Sequence, residues 1–153
     1  MISYQRRRTS HCPPLCPTEK RIDCHQPILL HHLMHKHWGL DKLAKKEYEK
    51  SIGEMKHADQ LIDRIFMPDG LLNLQDMRKF LIGENITKAL RCDFKSELVA
   101  QNTIKVGIAH CKSVHDFVSR DLLKNILHHS EVHIDFSETQ IELISKAGLP
   151  NYL

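Results

Sequence analysis

The strongest pattern in the chain is a helical repeat of apolar positions over three long segments. They run roughly over residues 41–66, 85–112 and 114–146. Apolar residues recur at spacings of three and four, which is typical of helices that bury one face. The positions that form these stripes include Ala44, Ile52, Ala58, Leu61, Ile62, Ile65, Leu90, Phe94, Leu98, Ile108, Phe117, Ile126, Leu127, Ile134, Ile141 and Ile144. The pattern therefore predicts three long amphipathic helices.

The segments between these helices indicate how they are arranged. Pro68-Asp69-Gly70 ends the first helix and Gly148 ends the third. The connection over residues 67–84 is too long for a tight turn and fits a crossover along a bundle. A fourth helix is needed to bury the apolar faces, and residues 30–38 are the candidate, although Pro27 would break or kink it. We predict an all-α four-helix bundle whose first helix is disrupted, with residues 1–26 irregular or poorly packed.

Composition and charge exclude several classes of protein. The 153 residues are 41% hydrophobic, which suits one domain, and no apolar run is long enough to span a membrane. Residues 1–23 carry five basic and two acidic side chains, so the net charge of +3 leaves the other 130 residues formally neutral. We therefore expect no nucleic-acid partner. Five cysteines without an export signal predict reduced thiols and a cytoplasmic protein.

Candidate metal ligands lie on the predicted buried faces of the three helices. Glu54 and His57 are three residues apart, so one helix face can present both to an ion. Glu97 lies on the stripe of the second helix and His133 on that of the third. Dinuclear carboxylate centres in helical bundles use this combination of Glu and Glu-x-x-His. Met55 faces another side of its helix and is a candidate for a separate soft ligand.

Several motifs, in this order and at these separations, resemble the bacterioferritin family over residues 30–153. They are Trp38-Gly39-Leu40, Ser51-Ile52-Gly53-Glu54-Met55-Lys56-His57-Ala58-Asp59, Asn73-Leu74-Gln75-Asp76, Ile82-Gly83-Glu84, Val118-Ser119-Arg120, His133-Ile134-Asp135, Glu138-Thr139-Gln140 and Gly148-Leu149-Pro150-Asn151-Tyr152-Leu153. The resemblance implies a ferritin-like four-helix bundle with a long crossover and a short C-terminal helix. It also implies a 24-subunit shell that oxidises Fe(II) at a di-iron site and stores ferric mineral.

The resemblance assigns roles to the candidate residues. Glu54, His57, Glu97 and His133 match di-iron ligands, and Met55 matches the methionine that binds haem b between two subunits. The chain departs from the family at Ser130, where a glutamate is expected, and at Arg21, which aligns with the first-helix glutamate. Lys50 and Gly53 also stand where acidic residues are usual. We therefore predict an impaired di-iron centre, reduced to one metal ion at most.

The segment before residue 30 has a different composition, rich in Pro, Cys, Arg and His. When the codon boundaries of residues 21–29 are shifted by one nucleotide, the possible codons permit E-L-T-A-I-N-Q-Y-F. That reading resembles the family's first-helix motif, including the missing glutamate. We interpret residues 1–29 as an aberrant, frame-shifted segment in place of most of the first helix, and residues 30–153 as the bundle.

Two other groups of residues could be interpreted as metal sites, but each interpretation has weaker support. Cys12, Cys16, Cys24 and His25 could be read as a zinc cluster, but the adjacent Cys24 and His25 chelate poorly and no second ligand pair follows at zinc-finger spacing. Histidines recur near the first turn of the bundle at spacings that could bind metal: His31, His32, His35 and His37. With twelve histidines in the chain, such pairs are expected by chance.

Three functions are compatible with these observations. The first is a ferroxidase and iron-storage subunit with an impaired centre. The second is a non-catalytic, haem-binding structural subunit of a shell, which would associate with itself or co-assemble with an intact paralogue. The third is the non-functional product of a decayed gene. The residues alone leave all three open.

Overall fold

The computed structural model describes residues 17–66 and 80–153, with side chains over 26–64 and 80–153. Four long helices and one short helix follow one another: α1 (Pro17–His37), α2 (Asp41–Phe66), α3 (Ile86–Ser113), α4 (Phe117–Ala147) and α5 (Leu149–Tyr152). No strand occurs within these ranges. The predicted all-α class is therefore confirmed. Among the described helices, none is both long and apolar enough to cross a membrane.

The helices pack as two hairpins that form a four-helix bundle. α1 packs along α2, α3 packs along α4, and α1 also contacts α3. The first hairpin turns at Gly39, whose φ of 79° lies in the left-handed region that glycine tolerates best. The second turns at His115 with φ 60°, and Asp116 then caps α4. The crossover predicted between α2 and α3 lies mostly over residues 67–79, outside the described part of the chain.

The bounds of α2 agree with the prediction, and those of α3 and α4 differ by at most three residues. α4 begins later than the apolar pattern suggested, because the Asp116 side chain accepts a hydrogen bond from the Ser119 amide and fixes the first turn there. α3 begins after Asn85, whose side-chain oxygen accepts from the Lys88 amide at 2.9 Å. Caps, rather than apolar periodicity, set these two boundaries.

The prediction was that residues 1–26 are irregular or poorly packed. Residues 17–26 are not irregular, because α1 is one helix from Pro17 to His37 with Pro27 inside it. Their poor packing stays a prediction, because the side chains of residues 17–25 lie outside the described part. Residues 1–16 lie outside the described part. Proline removes one backbone hydrogen bond and crowds the preceding turn, but tertiary packing compensates here. Pro27 is buried, and Ile28, which is 2% exposed, packs against Ala100 of α3. The expected boundary near residue 30 falls within this helix.

Two apolar clusters fill the core at different heights along the bundle. One contains Leu61, Ile104, Cys111, Leu123 and Ile126. The other contains Leu43, Ile86, Leu90 and Ile144. On α2, α3 and α4, the sequence positions between these clusters are occupied by buried polar residues. The fold therefore encloses a polar layer between two apolar ones.

Candidate metal centre

The polar layer of the bundle is built from residues with no solvent exposure. Ser51 and Glu54 come from α2, Glu97 from α3 and Ser130 from α4, and each is 0% exposed. Carboxylates are rarely buried to this degree unless they are paired or bind a metal. The helical stripes place them there, because each replaces an apolar residue on the inward face of its helix. The layer lies where the sequence predicted a metal centre.

Glu54 and His57 lie side by side on α2. The His57 Nδ1 atom is 3.8 Å from Glu54 Oε1, and His57 is only 7% exposed. Their spacing of three residues puts both on the inward face, as the sequence predicted. This pair can present one oxygen and one nitrogen donor to the same ion.

Glu97 is paired with a cation of the protein itself. The Lys50 ammonium lies 3.3 Å from Glu97 Oε1, and the two side chains are 7% and 1% exposed. Burial alone would lower the pKa of Lys50, but the carboxylates of Glu97, Asp93 and Glu54 outweigh it and raise that pKa above its usual range. Lys50 is therefore a charged group within the layer. The sequence indicated that a lysine is unusual at position 50, but it did not predict that Glu97 is the partner of this lysine.

His133 and Ser130 occupy different surroundings on α4. Ser130 is fully buried, whereas His133 is half-buried and lines a cavity of about 440 Å³ together with His57, His129 and Lys50. The His57 and His129 rings have centroids 4.9 Å apart. The cavity opens between α2 and α4, which contact each other less than the other packed pairs do. It provides a route from the surface to the polar layer.

The structure brings the predicted ligands together only in part. Glu54 lies beside His57, Glu97 lies beside Lys50, and His133 shares the cavity with His57. Within residues 26–64 and 80–153, whose side chains the structure describes, no three His, Cys, Asp or Glu side chains converge as a set that could hold a metal ion. The side chain of Arg21, on α1, lies outside the described part. The ligand set therefore stays a prediction.

The donors around the layer do not suit a pair of divalent cations. Two Fe(II) ions bring four positive charges, while Glu54 and Glu97 offer two negative charges and Lys50 adds a positive one. Ser130 supplies a neutral hydroxyl at the position where the resemblance expects a carboxylate. Uncompensated charge in a bundle core costs several kcal/mol per ion, as an order of magnitude. By charge, Glu54 and Glu97 alone do not balance two divalent ions.

Met55 lies away from this layer. Its side chain is 47% exposed, whereas Glu54 beside it is fully buried. The two neighbours on α2 therefore face different environments, as their positions on the helix predict. The Met55 thioether is therefore accessible from outside the bundle.

Two buried histidine–carboxylate pairs were not predicted. His31 Nδ1 lies 2.8 Å from Asp93 Oδ1, and His31 Nε2 accepts a hydrogen bond from the Gly83 amide at 3.0 Å. Since Nε2 accepts, the ring carries its proton on Nδ1 and donates it to Asp93. The His31 and His35 spacing in the sequence was the only available signal.

The second pair joins α1 to α2. His35 Nδ1 lies 2.6 Å from Glu47 Oε2, with both groups buried. Burial raises the pKa of Glu47 despite the opposing effect of the His35 hydrogen bond. His32 Nδ1 is hydrogen-bonded to the Ala44 carbonyl at 2.7 Å. Together, these contacts occupy ring nitrogens that a metal site over residues 31–37 would need. These histidines connect helices.

Comparison with known proteins agrees with this architecture. The family model described as a ferritin-like domain matches residues 20–147. A bacterioferritin of Brucella melitensis is 42% identical over 123 residues, covering 80% of this chain and 76% of that protein. A bacterioferritin of Rhodobacter capsulatus is 39% identical over 119 residues, covering 78% and 74%.

A bacterioferritin of Streptomyces coelicolor is 39% identical over 124 residues, covering 81% of this chain and 74% of its own length. The resemblance inferred from the motifs is confirmed by these matches, which extend over most of both chains. The chain therefore belongs to the bacterioferritin family, within the ferritin-like proteins.

Proposed function

We propose that this chain is an iron-storage subunit of a bacterioferritin-like shell whose own Fe(II)-oxidising centre is impaired. Membership of the family supports storage of iron as the coarser function. The single observation that carries the impairment is the make-up of the buried layer, where Glu54 and Glu97 share the core with the neutral Ser130. Too few carboxylates remain to balance two Fe(II) ions.

Fe(II) is the substrate in this proposal, and the chain's own residues guide its entry. The cavity between α2 and α4 leads to His57 and His133, which present imidazole nitrogens. Glu54 beside His57 supplies a carboxylate. These three groups are the best remaining set for one Fe(II) ion, and any oxidation there is slow because the second ion is poorly held.

Self-association follows from the surface of the bundle. Large apolar side chains are exposed on several helices, including Leu33, Val106, Val118 and Val132, each 48–67% exposed. Such residues on a monomer are typical of surfaces that other subunits cover. We propose assembly into a shell with copies of itself or with an intact paralogue. The free thiols of Cys92 and Cys111 are typical of a cytoplasmic protein.

Haem b is the proposed cofactor, and Met55 is the residue that would hold its iron. The side chain is 47% exposed, so a haem could approach it from outside the bundle. Met55 would hold the haem iron together with the same residue of a second subunit, which a two-fold interface would bring close. The protein supplies the thioether and an apolar contact surface, while haem supplies electron transfer.

A second candidate is a non-catalytic, haem-binding structural subunit. The Lys50–Glu97 ion pair favours it, because that pair occupies a carboxylate that iron would need. A decayed gene is the third reading, and it rests on the composition of residues 1–29. The nucleotide sequence of the first thirty codons, together with detection of the protein in its native cells, decides that reading.

The experiment that tests storage uses the purified full chain, alone and co-expressed with an intact bacterioferritin. Fe(II) is added in air, and both the particle mass and the iron per particle are measured. We expect shell-sized particles that retain ferric iron, with slow loading when the chain is alone. Monomers or dimers that retain no iron under both conditions would contradict the proposal.

A further inference from the structure

We propose that the Lys50 ammonium is a built-in cation that takes the place of a metal ion among the buried carboxylates of this bundle. The centre would then be complete without metal and would resist a second ion. This inference rests on the proposed function, since it takes Glu54 and Glu97 as the remaining iron ligands. A missing ligand alone would weaken metal binding at this site. The Lys50 ammonium would in addition occupy the position of a metal ion.

The position of Lys50 is the first support. It lies on α2 one helical turn before Glu54, so both side chains face the same buried layer. Its nitrogen is 3.3 Å from Glu97 Oε1 on α3, and the side chain is 7% exposed. The lysine therefore reaches across the core to a carboxylate of a different helix, instead of extending to solvent as lysines usually do.

The charges around Lys50 are the second support. Three carboxylates act on it, from Glu97, Asp93 and Glu54. Asp93 also accepts the hydrogen bond of His31, a ring that is neutral because Gly83 donates to its other nitrogen. The nearby imidazole therefore adds no positive charge to the described part of the layer, and Lys50 supplies the compensating one there.

Competition for Glu97 is the consequence. A metal ion binds a carboxylate oxygen at about 2.0–2.2 Å, and the ammonium already lies beside the Oε1 atom of Glu97. An ion bound there would stand next to a like charge that is only 7% exposed and therefore poorly screened by water. Ser130 acts in the same direction, because it contributes no negative charge to offset the ammonium. Metal binding at Glu97 therefore requires Lys50 to leave the layer.

Cobalt(II) binding to the purified full-length chain tests the inference, since Co²⁺ needs no oxygen chemistry and is read from its visible absorbance. Lys50→Glu should bind Co²⁺ roughly 10- to 100-fold more tightly than the unmodified chain, the range typical for changes around metal ligands. The matched control is Lys45→Glu, on the same helix, where the lysine is exposed and lies outside the cavity lining. Its Co²⁺ affinity should stay within about threefold of the unmodified chain, since it makes no contact with Glu97.

Thermal unfolding provides a second measurement if Lys50→Glu folds poorly. Without metal, Lys50→Gln and Glu97→Gln should each lower the unfolding temperature, and the double variant should unfold no lower than the worse single one. Additive losses would overturn the inference, because they would show that the two groups do not stabilise each other.

Equal Co²⁺ affinity in the unmodified chain and in a folded Lys50→Glu variant would also overturn it. The proposed storage function is tested separately, by particle mass and retained iron. Failure of the cobalt experiment therefore leaves that function standing, and failure of assembly leaves the cobalt result interpretable.

Discussion

Ser130 limits the negative charge that α4 contributes to the core, because its side chain is neutral. It is fully buried and, like Glu54 and Glu97, lies along its helix between residues of the two apolar clusters. A serine hydroxyl packs there without the desolvation cost of a carboxylate, so the apo bundle tolerates it well. With serine at this position, the core also lacks a carboxylate ligand that two Fe(II) ions would require.

Restoring a carboxylate at this position should restore part of the oxidation rate. We expect Ser130→Glu to oxidise Fe(II) faster than the unmodified chain, and the same change with the family's first-helix reading restored to be faster still. Stopped-flow absorbance of ferric iron measures both rates. Ser137→Glu is the control, because Ser137 is also buried on α4 but lies two turns away. Equal rates for Ser130→Glu and Ser137→Glu would contradict this account of the layer.

Haem binding should depend on Met55. Protein mixed with haem should show the absorption bands of a bis-methionine complex, and Met55→Ala should lose them, because no other thioether is proposed at that position. Leu98→Ala, at a residue 41% exposed on α3, is a control for loss of exposed apolar surface. Retention of the same bands by Met55→Ala would show that haem is held elsewhere.

At the residue scale, the sequence predicted which residues lie on the buried helix faces better than it predicted which residues pair with each other. The spacing of Glu54 and His57 sufficed to put them on one face, and Glu97 followed from its stripe. The partner of Lys50 could not be predicted, because residues 50 and 97 are brought together by the packing of α2 against the rest of the bundle. The same holds for His31 and Asp93, 62 positions apart.

At the element scale, local capping sets where α4 begins. Asp116 accepts from the Ser119 amide at 3.1 Å, from the Ser119 hydroxyl at 2.6 Å and from Arg64 at 3.0 Å. Burial would raise the pKa of Asp116, but these hydrogen bonds and the Arg64 charge outweigh it and lower that pKa below its usual range. One side chain therefore caps α4 and ties it to α2.

Asp116→Ala should lower the free energy of unfolding by about 1–2 kcal/mol at neutral pH. Since the folded pKa is lowered, this contribution is present above the usual carboxyl pKa and is lost as the pH falls through the folded value. Denaturant titrations at several pH values measure the difference. Asn85→Ala, which removes the uncharged cap of α3, should cost a similar amount without this pH dependence. A pH-independent effect of Asp116→Ala would contradict the charge argument.

The segment that enters α3 is fixed by close backbone packing at Gly83. A Cβ atom added there would overlap the Ala89 nitrogen, which is backbone and cannot rotate away. We expect Gly83→Ala to destabilise the fold by about 1–3 kcal/mol and to weaken the Gly83–His31 hydrogen bond.

Gly53→Ala is the matched control for this change. A Cβ atom at Gly53 meets nothing within 4 Å, so the substitution should stabilise α2 by about 0.5–1 kcal/mol through helix propensity. Thermal unfolding of both variants checks the pair of expectations. Equal effects at the two glycines would contradict the packing described here.

The sequence predicted α2 within its observed bounds because its apolar stripe and its proline–glycine stop agree. It did not predict the helical backbone of residues 17–26, which belong to the same helix as Pro27 and as Ile28, the residue that packs on Ala100 of α3. Composition indicates which conformation a segment prefers in isolation. The burial of Ile28 against Ala100 is a tertiary contribution, which composition does not indicate. The frame-shift interpretation of residues 1–29 stays a prediction, since a helical backbone is compatible with either origin.

At the scale of the whole molecule, the bundle separates its roles in space. Two apolar clusters hold the helices together, the polar layer lies between them, and exposed apolar residues are available for neighbouring subunits. Changes within the layer can therefore remove chemistry while assembly is retained. This separation is why a subunit of this family could keep storing iron after losing fast oxidation.

Single-turnover oxidation of Fe(II) by the unmodified full chain tests the central claim most directly. Two Fe(II) per subunit are mixed with the protein in air, and the ferric absorbance is followed against an intact bacterioferritin. We predict slow oxidation without a rapid phase that accounts for two ions per subunit, because the layer has too few carboxylates for two ions and holds Lys50. A rapid phase of two Fe(II) per subunit would contradict the account.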